Sequence, residues 1–171
     1  MNTQIDTTRL TLRPFAAADA DEAFACITTT LTRYMAWEPP ADHAQFATVW
    51  QQWQQSMADR SEFAFVIRER HDGRFAGLAG VHHLRTDTPE LGIWIREDRH
   101  GYGFGHEAVA SVARWASAMF SPEAFVYPVA EDNPRSRRIA EALGGVIVDR
   151  LMTPKYPKIV YRIPPQRADV A

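Results

Sequence analysis

One cysteine, Cys26, stands in the 171 residues, so no intrachain disulfide can form and no cysteine cluster can bind a metal. No apolar run reaches the roughly 18 residues that read as a membrane span. The opening Met1-Asn2-Thr3-Gln4-Ile5-Asp6 has neither the basic start nor the apolar stretch of a secretory signal. Surplus positive charge is missing too: 19 Lys and Arg face 21 Asp and Glu, for a net charge of −2. Binding to a phosphate backbone draws on a surplus of cations, so nucleic acid is excluded as the main partner. No internal repeat or low-complexity block appears. These absences leave one expectation: a cytoplasmic chain without membrane, nucleic-acid or metal partners, folded as a single domain over residues 1–171. A domain of this length buries roughly 70% of its unfolded surface. With 46% hydrophobic residues it needs no disulfide or metal to hold a core.

What is present alternates between two periods. Residues 7–15 contain Arg9-Leu10-Thr11-Leu12-Arg13, polar and apolar in turn, which predicts a half-buried strand. Asp19 stands three residues before Glu22, as in a capping box, and Ala23, Phe24, Ile27, Leu31 and Tyr34 follow at helical spacing. Cys26 on that helix reads as a small packing residue. Trp37-Glu38-Pro39-Pro40 predicts a loop, because each proline removes a donor and restricts its predecessor. Asp42 with Gln45 predicts a second helix start, and Phe46, Val49, Trp50, Trp53 and Met57 form its apolar stripe.

The pattern then changes to strands. Residues 63–69 and 74–84 flank Asp72-Gly73, which predicts a hairpin closed by a type I′ turn. His82 and His83 are adjacent on the second strand, so they are expected on opposite faces and cannot chelate one metal together. Residues 90–96 complete an antiparallel meander. After a glycine-rich turn comes a helix with Val109, Val112, Ala113, Ala116 and Met119 on one face. A strand at 125–129, a helix at 133–143 closed by Gly144, and strands at 146–149 and 159–163 complete the chain. Residues 164–171 read as a frayed tail. The order of elements gives an α+β domain.

The chemistry concentrates in Arg99-His100-Gly101-Tyr102-Gly103-Phe104-Gly105-His106-Glu107-Ala108. Three alternate glycines between a strand and a helix let the backbone approach a ligand closely. The helix start adds unpaired donors and the positive end of its dipole, so the turn fits a phosphate or pyrophosphate. The competing reading is a tight turn whose glycines serve geometry alone. No Gly-Lys-Ser/Thr triplet completes a Walker A loop. Gly103-Phe104-Gly105-His106-Glu107-Ala108 does fit the dinucleotide pattern G-x-G-x-x-A. That fold opens with this turn in its first βαβ unit, however, whereas here a meander precedes it. The dinucleotide reading is excluded.

His100-Gly101-Tyr102-Gly103-Phe104-Gly105 resembles the Arg/Gln-x-x-Gly-x-Gly/Ala pyrophosphate loop of the GCN5-related N-acetyltransferase (GNAT) superfamily. Thr8-Arg9-Leu10-Thr11-Leu12-Arg13-Pro14-Phe15 resembles the opening strand of its RimJ/RimL-like branch, which acetylates ribosomal proteins. Glu90-Leu91-Gly92-Ile93-Trp94-Ile95 resembles that branch's fourth strand. Asn133-Pro134-Arg135-Ser136-Arg137-Arg138, followed by Leu143-Gly144, resembles its Asn-x-x-Ser motif. The motifs fall in the family's order over about residues 7–150, leaving a C-terminal strand and tail at 151–171.

The resemblance implies a mixed, mostly antiparallel sheet flanked by helices, with a splayed opening between the fourth and fifth strands. It implies acetyl-CoA held there as co-substrate, no metal, and direct attack on the thioester by a primary amine of a protein N-terminus or small molecule. On that reading the backbone of Trp94, Ile95 and Arg96 bonds the pantetheine arm. His100 and the amides of Gly101, Tyr102, Gly103, Phe104, Gly105 and His106 receive the pyrophosphate. Asn133 and Arg138 add CoA contacts, with Arg135 and Arg137 as further candidates. Two positions depart from the family pattern. His100 stands where Arg or Gln is usual, with consequences for affinity and pH dependence. Ala140 stands where many members carry a tyrosine general acid, so the thiolate leaves unassisted or is protonated by another group. The RimL-like branch has a serine at this helix start, which implies Ser136 as a candidate acid, set against a role in the first turn of the helix.

Glu90 is the candidate base at the start of the fourth strand. His82 is a candidate acceptor-site residue, set against a purely structural role. Trp37 and Glu38, in the loop that borders the acceptor site in relatives, offer an aromatic wall and a carboxylate to a cationic amine. A rival from another class is a catalytically silent acyl-CoA-binding module of the same fold. A homodimer is compatible with either.

Overall fold

The computed structural model describes residues 3–167. Eight strands form one sheet: β1 (Ile5–Asp6), β2 (Leu10–Pro14), β3 (Phe63–Glu69), β4 (Phe75–His82), β5 (Glu90–Ile95), β6 (Phe125–Ala130), β7 (Val146–Met152) and β8 (Pro157–Ile163). Their order is β1-β2-β3-β4-β5-β6-β8-β7, and every pair is antiparallel except β5 with β6. The two-residue β1 precedes the expected first strand, so the expected fourth and fifth strands are β5 and β6. Helices α1 (Ala20–Cys26), α2 (Thr29–Thr32) and α3 (His43–Ala58) cover one face, and α4 (Phe104–Phe120) and α5 (Pro134–Ala142) the other.

Strand alternation sorts the core between the two faces. Phe63, Phe65 and Ile67 of β3 join the cluster under α4, while Ala64 and Val66 join the one under α1 and α3. Both faces are covered, which is why β3 reads as a continuous apolar run. On α4 the buried stripe is Ala108, Val109, Val112, Ala113 and Ala116. Met119 falls outside it and is exposed, while its neighbour Phe120 packs against Phe63 and Trp115. Val49 is likewise exposed, whereas Phe46 of the same helix is buried against Phe15.

Several local expectations are corrected. The helix predicted from Asp19 to Tyr34 breaks at Ile27, whose ψ of 107° is extended. Thr28 restarts it as α2 by accepting the Leu31 amide at 3.0 Å. Asp19 does not box with Glu22. Its buried carboxylate accepts from Arg13 Nη2 at 2.6 Å, Arg68 Nη2 at 2.9 Å and the Ala16 amide at 3.0 Å. Glu22 pairs instead with Arg68. Asp42 does cap α3, accepting the Gln45 amide at 2.7 Å.

The β3–β4 hairpin is present, but only Gly73 has positive φ (+74°) in its loop, so the turn is not type I′. His83 has φ +57° and leaves the ladder that His82 ends, so the two are not strand neighbours on opposite faces. The expected frayed tail is pinned where it is described: Gln166 donates from its amide to Ser117 Oγ at 2.9 Å and from Nε2 to Leu143 O at 3.0 Å. Residues 168–171 lie outside the described residues. No helix among the described residues is long and apolar enough to cross a membrane.

Candidate active site

β5 and β6 share a single register point, Glu90 opposite Val126, beside a Val126 amide bond to Pro89 O of 2.9 Å. Beyond that point each is held by its other neighbour, β5 by β4 and β6 by β8, so the two strands diverge. Two clefts meet in the wedge. The larger, about 970 Å3, runs past Ile95, the glycine turn, the start of α4 and the first turn of α5. The smaller, about 560 Å3, is walled by aromatic side chains on the α3 side of the sheet. Tyr34, Met35, Ile93, Trp94, Asn133 and Ser136 line both.

The glycines of the turn serve different ends. Gly101 and Gly103 have φ of +87° and +80°, a region costly to L side chains. Gly105 is needed for close approach instead, since a Cβ there would lie 3.1 Å from Ile139 Cδ1 of α5. The first bond of α4 runs from the Glu107 amide to Gly103 O at 3.2 Å. Among the described residues, no hydrogen bond uses the amides of Gly101 to His106. They remain free to meet an anion at the positive helix end.

The turn is clamped by a residue the sequence reading left in a strand. Arg9 Nη2 lies 2.7 Å from Glu107 Oε2, Arg9 Nη1 donates to Tyr102 O at 2.7 Å, and the guanidinium sits 4.8 Å over the Phe104 ring. Burial pushes the Glu107 carboxyl up, but hydrogen bonds from Thr7 and Arg9 outweigh it and hold the acid below the usual range. Arg99 is tied down by Glu69 Oε1 at 2.6 Å.

The strand contacts expected for an added chain shift by one residue. The Arg96 amide donates to Ala76 O at 2.9 Å, which places the even positions of β5 on the β4 side of the ladder. Alternation then turns the backbone of Ile93 and Ile95 toward the opening, and not that of Trp94 or Arg96. The Arg96 guanidinium is bound to Asp98 and Phe75 O. Of the opening-facing groups, the Ile95 carbonyl accepts from His100 Nε2 at 2.7 Å. The Tyr102 side chain is exposed and stacked on Phe104, so among its groups the backbone amide is the one left for the turn's ligand. Arg135 and Arg138 line the larger cleft with His106, whereas Arg137 turns away to Tyr161 Oη and Glu131 O.

Asn133 caps α5, accepting the Ser136 amide at 3.3 Å. Ser136 Oγ lies 2.5 Å from the hydroxyl of Tyr127, a buried residue of β6 that borders the smaller cleft. Burial pushes the Tyr127 phenol up to about 12 against the opposing bond from Ser136. Ser136 is the only hydrogen-bond partner of that buried hydroxyl among the described residues. That bond fixes the serine hydroxyl where the two clefts meet.

Trp37, Glu38, His82 and Glu90 all line the smaller cleft. The acidic wall is not as expected. Lys155, from the turn before β8, lies 2.7 Å from Glu38 Oε1 and donates to Thr32 O at 2.8 Å. Glu90 is the lining carboxylate with no hydrogen bond or ion pair among the described residues. Among those residues one trio has possible metal-ligand spacing: Glu69, His71 and Asp72, with Glu69 already held by Arg99.

The family model of the GNAT acetyltransferase domain matches residues 9–146. The chain is 32% identical over 93 residues to an uncharacterized protein of Methanocaldococcus jannaschii, a match covering 54% of this chain and 19% of that relative's length. Among solved structures it is similar to the ribosomal L7/L12 alpha-N-protein acetyltransferase RimL in complex with coenzyme A. That likeness has a TM-score of 0.82 at 13% identity and covers 94% of this chain and 97% of the other. It is also similar to spermidine N-acetyltransferase from Vibrio cholerae in complex with CoA and spermine, with a TM-score of 0.76 at 18% identity over 92% and 95% of the two chains. At these identities the likeness to solved structures carries the fold.

Proposed function

The chain belongs to the GNAT acetyltransferase family, and from that premise we propose that it transfers the acetyl group of acetyl-CoA directly to a primary amine. The observation that carries the reading is the meeting of the two clefts at Ile93 and Ser136, where β5 and β6 part. A donor in the larger cleft and an amine in the smaller one would face each other at that point. The larger cleft fits acetyl-CoA on three grounds. Free amides stand at a helix N-terminus for the pyrophosphate, Ile93 and the Ile95 amide present a strand edge to pantetheine, and Arg135 and Arg138 add positive charge. When bound, the thioester supplies an activated acetyl group. The chain's own part is to bind, align and move protons.

Ser136 is the proton donor for the departing sulfur. The Tyr127 hydroxyl holds Ser136 Oγ in place, and Ser136 can give its proton to the departing sulfur while taking one from the amine nitrogen. A thiolate is a good leaving group, so this help is modest. Ser136→Ala is expected to lower kcat by about tenfold to a hundredfold with acetyl-CoA binding unchanged, measured by thiol release and calorimetric titration. Wild-type kcat would return Ser136 to its role in the first turn of α5.

The acceptor is an amine of a protein N-terminus, as in the RimJ/RimL branch, or of a small molecule. It arrives as a cation, and Glu90 is the carboxylate free to meet it. Glu38 shares its charge with Lys155 and serves the wall of the cleft beside Trp37. We assign the protein to the cytoplasm, as one domain, acting as a homodimer. The edge strand β7 supports the dimer, with Val146, Ile147, Val148, Leu151 and Met152 all exposed beside an unpaired backbone edge. The doubly charged variant Val148→Lys, Met152→Lys is expected to sediment as a monomer where the wild type sediments as a dimer. Identical sedimentation of the two would remove β7 from the interface.

A further inference from the structure

On the α3 side of the sheet, three residues stand in a row across three strands. Glu62 immediately precedes β3, His82 ends β4, and Glu90 begins β5 directly opposite His82 in the ladder. His82 Nδ1 lies 2.7 Å from Glu62 Oε2. Its ring is laid over two glycines that face each other across β4 and β5, Gly80 and Gly92. A Cβ on Gly80 would lie 2.7 Å from His82 Nε2, and one on Gly92 would lie 3.7 Å from it. The imidazole occupies the room that those missing side chains leave. Its Nε2 end points along the cleft wall toward the middle of β5, the strand that carries Ile93.

The carboxylate settles which nitrogen holds the proton. Burial pushes the Glu62 carboxyl up, but hydrogen bonds from His82 and Ser56 outweigh it and keep the acid ionised. An ionised carboxylate only accepts, so Nδ1 must donate, and the lone pair of the neutral ring is left on Nε2. The Nε2 atom has no hydrogen-bond partner among the described residues. A neutral imidazole held by a carboxylate, with its other nitrogen bare in an acceptor cleft, is an arrangement for taking a proton.

We propose that His82 is the general base that deprotonates the incoming ammonium, with Glu62 as its positioning residue and Glu90 as the charge that attracts the cation. This rests on the acetyl-transfer reading above and assigns the proton acceptor within it. The step balances as follows. The ammonium gives one proton to Nε2, and the freed nitrogen lone pair attacks the acetyl carbonyl carbon. A C–N bond forms and the C–S bond breaks. The second proton shed by nitrogen goes to the departing sulfur by way of Ser136, and the imidazolium returns its proton to water. Ammonium and acetyl-CoA thus become acetamide, CoA thiol and one released proton. His82 stands opposite Glu90 in the ladder, and it takes the proton in place of that candidate base expected from the sequence.

Other ionisable groups face the same cleft, so the test must separate them from His82. They are Glu90 on β5, Tyr127 on β6, Tyr156 and Lys158 at the start of β8, and Tyr34 and Glu38 after α2. Thiol release from acetyl-CoA is measured against pH with a panel of primary amines and short peptides, in wild type, His82→Gln, Glu62→Gln and Gly80→Ala. His82→Gln is expected to lower kcat/KM for the amine about a hundredfold or more and to lose the acid limb that the imidazole sets. KM for acetyl-CoA should stay unchanged, which also shows that the variant is folded. Glu62→Gln should lower the rate less and move the limb to lower pH, because the imidazolium loses its carboxylate. Gly80→Ala keeps both dyad side chains but displaces the ring, so it should reproduce much of the His82→Gln loss. Independently of turnover, nitrogen-15 spectra should show His82 protonated on Nδ1 in wild type and not fixed there in Glu62→Gln. A profile and rate in His82→Gln equal to wild type, or a wild-type ring protonated on Nε2 when neutral, overturns the assignment alone. No turnover of any amine by wild type at any pH overturns the acetyl-transfer reading and this inference together.

Discussion

Gly103→Val is expected to abolish most of the thermal stabilisation that acetyl-CoA confers on the wild type. Ligand at about 100 times its Kd adds about 2.7 kcal/mol to a folded protein, which for a chain of this size raises Tm by roughly 5 to 10 °C. Gly103 holds φ at +80° and is the residue from which the first bond of α4 is accepted. A β-branched side chain there costs at least about 1 to 2 kcal/mol in its present conformation. The backbone escapes that cost by rotating, and rotation takes the neighbouring free amides off the anion. A Cβ there would also touch Arg9 Nη2 of the clamp, at 3.4 Å. The unliganded variant should melt within a few degrees of wild type, because the turn is at the surface. Differential scanning fluorimetry with and without acetyl-CoA reads both quantities. A full ligand-induced shift in Gly103→Val would mean that the glycine turn does not hold the phosphates.

Asp19→Ala is expected to cause the largest loss of stability from a single polar substitution. The carboxylate is buried, and it accepts from two arginines and the Ala16 amide. Removing it strands Arg13 and Arg68, and breaking a buried pair of this kind costs roughly 3 to 5 kcal/mol. Because the arginines are partly exposed, the lower end applies, and Tm should fall on the order of 10 °C. The same site predicts a pH dependence. Burial alone would raise the Asp19 acid, but the bonds from Arg13 and Arg68 prevail and lower it below its ordinary value near 3.8. A carboxylate lowered on folding stabilises above its unfolded pKa and loses that contribution as pH falls through the folded one. Wild type should therefore lose stability steeply below about pH 4, and Asp19→Ala should show a shallower acid limb. Parallel acid limbs in urea titrations of the two proteins would exclude Asp19 as a source of that loss.

Local spacing made some of this molecule legible and hid the rest. The meander, the glycine turn and α5 follow from alternation, from three glycines in six residues and from an Asn-Pro start, all patterns written in consecutive positions. Asp19 misled because its three-residue offset from Glu22 imitates a capping box, while its true partners sit on β2 and β3. The break at Ile27 was invisible because the apolar spacing continues across it, and only Thr28 as a cap marks the restart. The site was partly legible in the same way. The glycine turn, Ser136 and the cleft residues Trp37, His82 and Glu90 could be named one by one. Their partners could not: Glu62 reaches His82 only once β3 and β4 pair, Tyr127 meets Ser136 across a strand–helix connection, and Lys155 reaches Glu38 from the far end of the chain. Sequence spacing finds groups that one helix or strand presents together. It does not find pairs that a sheet assembles.

The central claim is that acetyl passes from CoA to an amine where the two clefts meet. Its most direct test is one reaction mixture followed two ways, by free CoA thiol and by mass spectrometry of the amine. Purified protein with acetyl-CoA and a panel of peptides, polyamines and amino acids should release thiol in step with an N-acetylated product from at least one class. The rate should rise with pH and then level off, earlier for peptide N-termini, whose pKa is about 8, than for alkylamines near 10. Tight acetyl-CoA binding with no acetylated product from any amine across that pH range would contradict the account and leave a protein that binds acyl-CoA without turning it over.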